Sequence, residues 1–130
     1  MLVWKLTNSA GCATFWRLRD ILEAARLIGT YVADTTEPDF RADMLRQDAV
    51  VRRIEIIGEA TAHLSSATRQ AIHGLPFRKM RGMRNIVAHD YANVDSKIVW
   101  EVATIHVPEV RAVLEKFFAN HGQSPQPPPV

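Results

Sequence analysis

Residues 15 to 32 read FWRLRDILEAARLIGTYV, and this stretch decides the fold class. Its apolar residues recur at steps of three and four positions, which is the period of an amphipathic α-helix. These residues are Phe15, Leu18, Leu22, Ala25, Ile28 and Val32, and charged residues lie between them. The pattern predicts a first helix over about residues 15–33, with one face turned towards a core.

The same helical period continues along the chain, and no stretch shows the apolar and polar alternation that is typical of a strand. Thr36-Glu37-Pro38-Asp39 has the residue types of a helix start. The apolar pattern after it includes Phe40 and Met44 and runs to Leu64, so we expect both to face the core. Beyond it we expect a short turn or helix at 65–73, a third long helix over about 77–89, and a fourth over about 94–117.

Two residues inside these helices predict how the helices are arranged. Gly58 costs a helix about 1 kcal/mol relative to alanine, and a close crossing by a neighbouring helix is the usual compensation. Pro108 lacks an N–H group, so we expect it to kink or split the fourth helix. Together the patterns predict an all-α fold, an antiparallel four-helix-type bundle with a short extra helix.

The composition is that of one globular domain. The chain has 130 residues, 47% of them hydrophobic, so a core without disulfides is feasible. Its one cysteine, Cys12, cannot form an intrachain disulfide, and no apolar run approaches the roughly 20 residues of a membrane-spanning helix. We therefore expect a cytoplasmic protein that does not bind membranes, with a helical domain at 15–121 and a disordered proline-rich tail at 122–130.

Positive charge is concentrated in one part of the chain. The net charge is only +2, yet no acidic residue occurs between Glu59 and Asp90. The basic residues of that stretch are Arg69, Arg78, Lys79, Arg81 and Arg84. We expect the corresponding surface to attract phosphates, although an arginine-rich genome composition would also produce such a stretch.

Residues 84 to 91 read RNIVAHDY and combine a guanidinium, an amide, an imidazole, a carboxylate and a phenol. An imidazole accepts a proton from a hydroxyl at neutral pH, and arginine stabilises negative charge that develops on a phosphate. These groups suit metal-free RNA cleavage, in which His89 deprotonates the 2′-hydroxyl, Arg84 stabilises the phosphorane and a 2′,3′-cyclic phosphate forms. Because Arg84 lies about 140° from His89 around a helix, their convergence needs a loosened helix end or a second chain.

The run Arg84-Asn85-x-x-x-His89-x-Tyr91 resembles the Arg-x4-His-x-Tyr signature of HepT-type toxins of the HEPN superfamily. Arg19-Asp20-Ile21-Leu22, Gly82-Met83 and the stretch from 53 to 60 are similar to that family in order and spacing. The similarity covers about residues 17–118, most of the chain. It does not extend to residues 1–14, and Phe77 stands where a tryptophan commonly follows the proline.

The resemblance implies a helical-bundle ribonuclease that dimerises and pools two motif copies at a shared cleft. It implies Arg84 and His89 as catalytic residues, and Tyr91 as a tyrosine to which a cognate nucleotidyltransferase antitoxin of the MntA type transfers AMP. The resulting inhibition would involve a higher assembly of toxin and antitoxin, and no cofactor of the toxin itself. The residues expected to contact RNA phosphates are Arg78, Lys79, Arg81 and Asn85.

Other interpretations of the motif remain open. An arginine and a histidine at a helix end are often only structural, because the histidine caps the negative end of the helix dipole. A non-catalytic HEPN subunit would bind nucleotide or RNA for a partner nucleotidyltransferase. A helical module whose basic face merely binds nucleic acid would bind RNA and DNA alike, in a salt-sensitive way.

Glu55, Glu59 and His63 share one face of the second helix with a spacing that resembles metal ligands. A metal site in a bundle needs matching ligands from other helices, and the chain has no second Glu-x-x-His. We therefore expect no metal, and expect both glutamates to pair with Arg81 or Arg84. Asp90 is expected either to orient His89 or to cap its helix.

Overall fold

The computed structural model describes residues 9–88 and 95–121, and all regular structure in these two ranges is helical. The helices in chain order are α1 (Ser9–Val32), α2 (Glu37–Ala42), α3 (Met44–Ala62), α4 (Ser66–Ala71), α5 (Phe77–Ala88), α6 (Ser96–Glu101), a π-helical turn (Val102–His106) and α7 (Val107–His121). The all-α prediction is confirmed, with α1, α3, α5 and the α6–α7 arm as the four long elements and α4 as a short extra helix.

The core lies where α1 packs against α3 and α7, and α3 packs in turn against α5. One apolar cluster joins these helices, and its fully buried side chains include Leu18, Ile28, Ile54, Met80 and Leu114. Each such side chain contributes roughly 1.5–3 kcal/mol when it leaves water. The bundle is therefore held together mainly by the face that the helical period had marked as apolar.

The apolar pattern between Thr36 and Leu64 forms two helices rather than one continuous helix. Asp43 ends α2, because its backbone N–H donates to the Phe40 carbonyl at 3.1 Å. The same residue begins α3, because its carboxylate accepts from the Arg46 N–H, also at 3.1 Å. The chain changes direction at Asp43, which periodicity alone did not reveal.

The break at Asp43 also separates two residues that the apolar pattern had treated as equivalent. Phe40 is fully buried and its ring lies 5.2 Å from that of Trp100. Met44 follows the break and is 69% exposed. The expectation that Met44 faces the core was therefore wrong, because the turn rotates the start of α3 away from the bundle.

The regular helix is interrupted next to Pro108, as predicted. The Val107 N–H bonds to the Val102 carbonyl, five residues earlier, so the turn before the proline is wider than an α-turn. Proline cannot donate to the carbonyl four residues before it, and its ring crowds that carbonyl, which here belongs to Thr104. The wider turn relieves this conflict without ending the helical direction.

The two ends of the chain are described only in part. α1 begins at Ser9, earlier than the predicted start at residue 15. Residues 1–8, 89–94 and 122–130 lie outside the described residues, and the prediction for the proline-rich tail falls there. Among the helices described, none combines the length and the apolar character that a membrane crossing requires.

Candidate nucleic-acid interface

Helix α5 has one apolar face and one cationic face. Met80 and Met83 point into the core and are at most 1% exposed. Within residues 77–85 of this helix, the exposed side chains are Arg78, Lys79, Arg81, Arg84 and Asn85. Because these positions repeat at three and four residues, the helix presents its cations along one side while its methionines anchor the other.

Gly58 determines how closely α3 approaches α5. A Cβ atom on Gly58 would lie 2.8 Å from the backbone nitrogen of Arg84 and 2.9 Å from its Cβ. Side-chain carbons do not approach backbone atoms so closely, so only glycine permits this crossing. The predicted close crossing at Gly58 is confirmed, and it fixes the backbone of Arg84 while the side chain stays exposed.

An open cleft of about 710 Å³ lies on the cationic side of α5. Its lining residues are Ala62, Arg69, Phe77, Arg78, Arg81, Gly82, Arg84 and Asn85. Among the described residues, the lining thus contains four guanidinium groups and one amide, and no carboxylate. A concave surface of one charge sign concentrates its field, so this cleft attracts polyanions such as nucleic acid.

The structure brings together most of the predicted phosphate contacts. Arg78, Arg81, Arg84 and Asn85 all line the cleft. Lys79 is exposed on the same helix but is not part of the lining. Three of the four predicted phosphate contacts thus line the cleft, together with Arg84, which had been predicted as a catalytic residue.

Arg69 is a cleft residue that sequence reasoning did not include in the site. It lies on α4, and its Nε and Nη2 atoms donate to the Leu64 carbonyl at 3.3 and 3.1 Å. These two bonds hold the guanidinium in place beside the cleft. The signal in the sequence was its position inside the acid-free stretch, but nothing there indicated that its side chain lines the same cleft as those of α5.

The two glutamates that were expected to support the site differ in their surroundings. Glu55 is half-buried, and its Oε2 atom accepts from Arg52 Nη1 at 3.3 Å. Glu59 is exposed, and within residues 13–85 and 95–121 no ion pair joins it to Arg81 or Arg84. In the same part of the chain, no three His, Cys, Asp or Glu side chains lie close enough to hold a metal ion.

Three further predicted site residues follow α5 directly in the chain. They are His89, Asp90 and Tyr91, and all three lie outside the described residues. The structure describes the chain as far as Ala88, the last residue of α5. Their roles stay predictions.

The family model and the relatives that match this chain all carry the name of a ribonuclease. A family model described as "Ribonuclease HepT-like" matches residues 21–117. The "Probable ribonuclease HepT" of Thermococcus cleftensis is 33% identical over 99 residues, covering 76% of this chain and 90% of that protein. "Putative RNase MJ1380" of Methanocaldococcus jannaschii is 32% identical over 98 residues, covering 75% of this chain and 90% of that protein.

A longer relative matches through only part of its length. The "Gamma-glutamylcyclotransferase and putative RNase MJ0434" of Methanocaldococcus jannaschii is 39% identical over 99 residues, covering 76% of this chain. The chain spans 45% of that relative. No solved structure matches the chain.

Proposed function

The chain belongs to the HepT-like ribonuclease family, and we propose that it is a metal-independent endoribonuclease that acts as the toxin of a toxin–antitoxin pair. The observation that supports this proposal best is the cleft on α5, whose described lining contains Arg84, three further guanidinium groups and no carboxylate. Such a surface binds a phosphodiester backbone, and it holds the residue expected to stabilise the transition state at the point where α3 fixes the helix.

The proposed reaction uses the 2′-hydroxyl of the substrate as the nucleophile. His89 accepts the hydroxyl proton, the 2′-oxygen forms a bond to the adjacent phosphorus, and the bond from phosphorus to the 5′-oxygen breaks. The departing 5′-oxygen takes a proton from water, and the other product end is a 2′,3′-cyclic phosphate. Arg84 stabilises the extra negative charge of the phosphorane. DNA lacks the hydroxyl and is not cleaved.

We propose that the active enzyme is a homodimer. Positions 84 and 89 are about 140° apart around an ideal helix, so convergence on one phosphate needs a loosened helix end or a second chain, and the proposal takes the second chain. A second copy placed with its α5 beside the first supplies the complementary residue. This arrangement also makes the RNA cleft a shared one.

Regulation would act on Tyr91, the last residue of the motif. A cognate nucleotidyltransferase antitoxin of the MntA type transfers AMP from ATP to the Tyr91 hydroxyl and releases pyrophosphate. The added phosphate brings negative charge next to the guanidinium groups of the cleft, and the adenosine occupies space there, so RNA is displaced. Intact mass before and after incubation with the antitoxin and ATP tests this step, and Tyr91→Phe must prevent the mass increase.

The test of the activity is cleavage of end-labelled total RNA by the unmodified protein in the presence of EDTA. We expect cyclic phosphate ends from the wild type and none from His89→Ala. His73→Ala is the matched control, because His73 is exposed and does not line the cleft. Equal cleavage by wild type and His89→Ala would contradict the mechanism, and no cleavage by an unmodified wild type would favour a non-catalytic HEPN subunit.

A further inference from the structure

The end of the bundle at which α1 begins and α7 finishes carries a cluster of aromatic rings. Phe15 is buried at its centre, with its ring 5.5 Å from that of Trp16 and 5.2 Å from that of Phe118, both edge to face. The Phe117 ring lies 5.2 Å from Phe118 and 4.5 Å from the His121 ring. Trp16, Phe118 and His121 are only half-buried, so the described helices cover this aromatic cluster only in part.

The Trp16 indole has a hydrogen-bond donor without an acceptor. Its Nε1 atom is buried, and no described group accepts a hydrogen bond from it. Buried tryptophan N–H groups usually have a partner, because the hydrogen bond to water that is lost on burial must otherwise go unreplaced. An acceptor from a segment outside the described residues would complete this site.

The segment that follows α7 is rich in acceptors of the required kind. It contains Pro125, Pro127, Pro128 and Pro129 within five positions. Such a composition favours the polyproline II conformation, which has no internal hydrogen bonds, so its carbonyl oxygens are available to an external donor. Positions 125 and 128 also have the P-x-x-P spacing that aromatic grooves bind.

This proline-rich segment is attached directly beside the aromatic cluster. α7 ends at His121, three residues after Phe118, which corresponds to a rise of roughly 4.5 Å. Only residues 122–124 precede the first proline, and three extended residues span roughly 10 Å. A short tether gives an effective concentration on the order of millimolar, so even a weak contact with the rings suffices to occupy the site.

We propose that the aromatic cluster is a binding site for a polyproline II segment, and that its occupant is residues 125–129 of the same chain. Proline rings pack against the Trp16 and Phe118 rings, and a carbonyl of the segment accepts from Trp16 Nε1. Arg19, whose Cζ atom lies over the Phe118 ring at 5.9 Å from its centre, borders the site.

The proposed docking changes what is expected of the tail, which composition alone predicts to be disordered. The contact with the rings orders it and closes this end of the bundle. No residue of the aromatic cluster is among the described residues that line the cationic cleft. The inference therefore does not depend on the proposed ribonuclease function.

Nuclear magnetic resonance on the full chain tests the contact directly. We expect a nuclear Overhauser effect between the Trp16 indole proton and the Hδ protons of the prolines, with the indole signals assigned by single tryptophan-to-phenylalanine variants. The matched tail variant combines Pro127→Gly, Pro128→Ser and Pro129→Gly, which keeps the length of the tail and removes its polyproline II preference. This tail variant should lose the effect.

Exchange of the indole protons with water measures how much of the time the site is occupied. In the tail variant, the Trp16 indole proton should exchange about tenfold faster or more, because the acceptor that the short tether holds nearby is lost. Trp100 is the internal control. Its ring packs against that of Phe40 at 5.2 Å, so the exchange of its indole proton should not change.

Thermal melting provides a second measure, as a double-mutant cycle. Trp16→Phe keeps an aromatic ring beside Phe15 and removes the N–H donor. The tail variant should lower the melting temperature of the wild type by about 3–5 °C, and that of Trp16→Phe by less than half as much, because the donor is already absent. In a Trp100→Phe background the full decrease should remain. An equal decrease in all three backgrounds would contradict a contact through Trp16.

Three resonance results would overturn the proposal. The first is the absence of any effect between Trp16 and the prolines in the wild type. The second is an effect between Trp16 and residues 1–8 instead, which would assign the aromatic cluster to the segment before α1. The third is a proline contact found only between labelled and unlabelled chains in a mixed sample, which would assign the site to the tail of a second copy.

Discussion

A glycine lies at each of the two sides of α5, but the two glycines have opposite surroundings. On the core side, Gly58 of α3 meets Arg84 so closely that a single added carbon would lie 2.8 Å from its nitrogen. On the cleft side, Gly82 of α5 has no described atom within 4 Å of the same hypothetical carbon. A glycine in a helix is therefore not evidence of packing by itself. Its surroundings decide whether the glycine permits a close helix crossing or faces an open cleft.

The largest expected effect is a loss of stability from a substitution on the apolar face of α5. Met80→Ala removes a fully buried side chain and leaves a cavity between α5 and the core, so the free energy of unfolding should fall by about 2–5 kcal/mol. Arg81→Ala changes the next residue, which is exposed, and should stay within about 0.5 kcal/mol. Urea denaturation of both variants measures the difference. Equal losses would mean that the two sides of α5 are not distinct.

Arg84→Ala should break the function and spare the fold. Alanine keeps the Cβ atom that meets Gly58, so the helix crossing is preserved. Loss of the guanidinium should lower the rate of RNA cleavage by about 10²–10³-fold, the usual cost of removing a donor that stabilises transition-state charge. The measurement is single-turnover cleavage together with thermal melting. A fall of several degrees in the melting temperature, with cleavage retained, would assign Arg84 a structural role instead.

The two glycines should respond to alanine with opposite signs. Gly58→Ala forces α3 and α5 apart and should destabilise the protein by about 1–3 kcal/mol, as overpacking does. Gly82→Ala adds a methyl group in open space and should stabilise it by about 0.4–1 kcal/mol. Thermal melting of the two single variants gives both signs. If Gly82→Ala also destabilised the protein, the space beside it would belong to the fold.

The smallest effect lies away from α5, at the junction of α1 and α3. The Arg46 guanidinium donates to Asp34 at 2.7 Å, and this hydrogen bond holds the pKa of Asp34 below its ordinary value. A lowered pKa contributes stability that is present above the unfolded-state pKa of about 3.9 and is lost as the pH falls through the folded-state value. Asp34→Asn should therefore be slightly less stable than wild type at neutral pH.

The small stability difference between Asp34→Asn and wild type is a control for the predictions on α5. It should shrink as the pH falls below the unfolded-state pKa of about 3.9, and vanish once the wild-type carboxylate is protonated in the folded state as well. RNA cleavage by Asp34→Asn should equal that of wild type, because Asp34 does not line the cleft. A persistent stability difference at low pH would show that the asparagine disturbs the junction for a reason other than charge.

Much of the fold was accessible from the sequence because helical periodicity is a local property. The steps of three and four residues around Leu18 and Met80 marked the buried faces of α1 and α5 correctly. The unfavourable Gly58 indicated a close crossing, since its cost must be offset by something. Asp43 escaped detection because a single polar residue in a polar position does not disturb the apolar period, although its side chain and backbone together end one helix and begin the next.

Some residues of the candidate site could likewise be grouped from the sequence, whereas others were revealed only by the structure. Arg78, Arg81, Arg84 and Asn85 are close in sequence and share one helix, so their spacing was sufficient to group them. Arg69 joins them only because the tertiary structure places its side chain in the same cleft, where two hydrogen bonds to the Leu64 carbonyl hold it. Gly82 could not be distinguished from Gly58 by residue type.

The sequence by itself determined the helical class, the apolar and cationic sides of α5, and the motif from Arg84 to Tyr91 that resembles the family. These follow from neighbours along one chain segment, whose relative positions a helix fixes without further information. Only the tertiary structure decided which cations face a common cleft and which glycine is in contact and which is open. Those properties depend on distances between α3, α4 and α5, and long-range packing sets such distances.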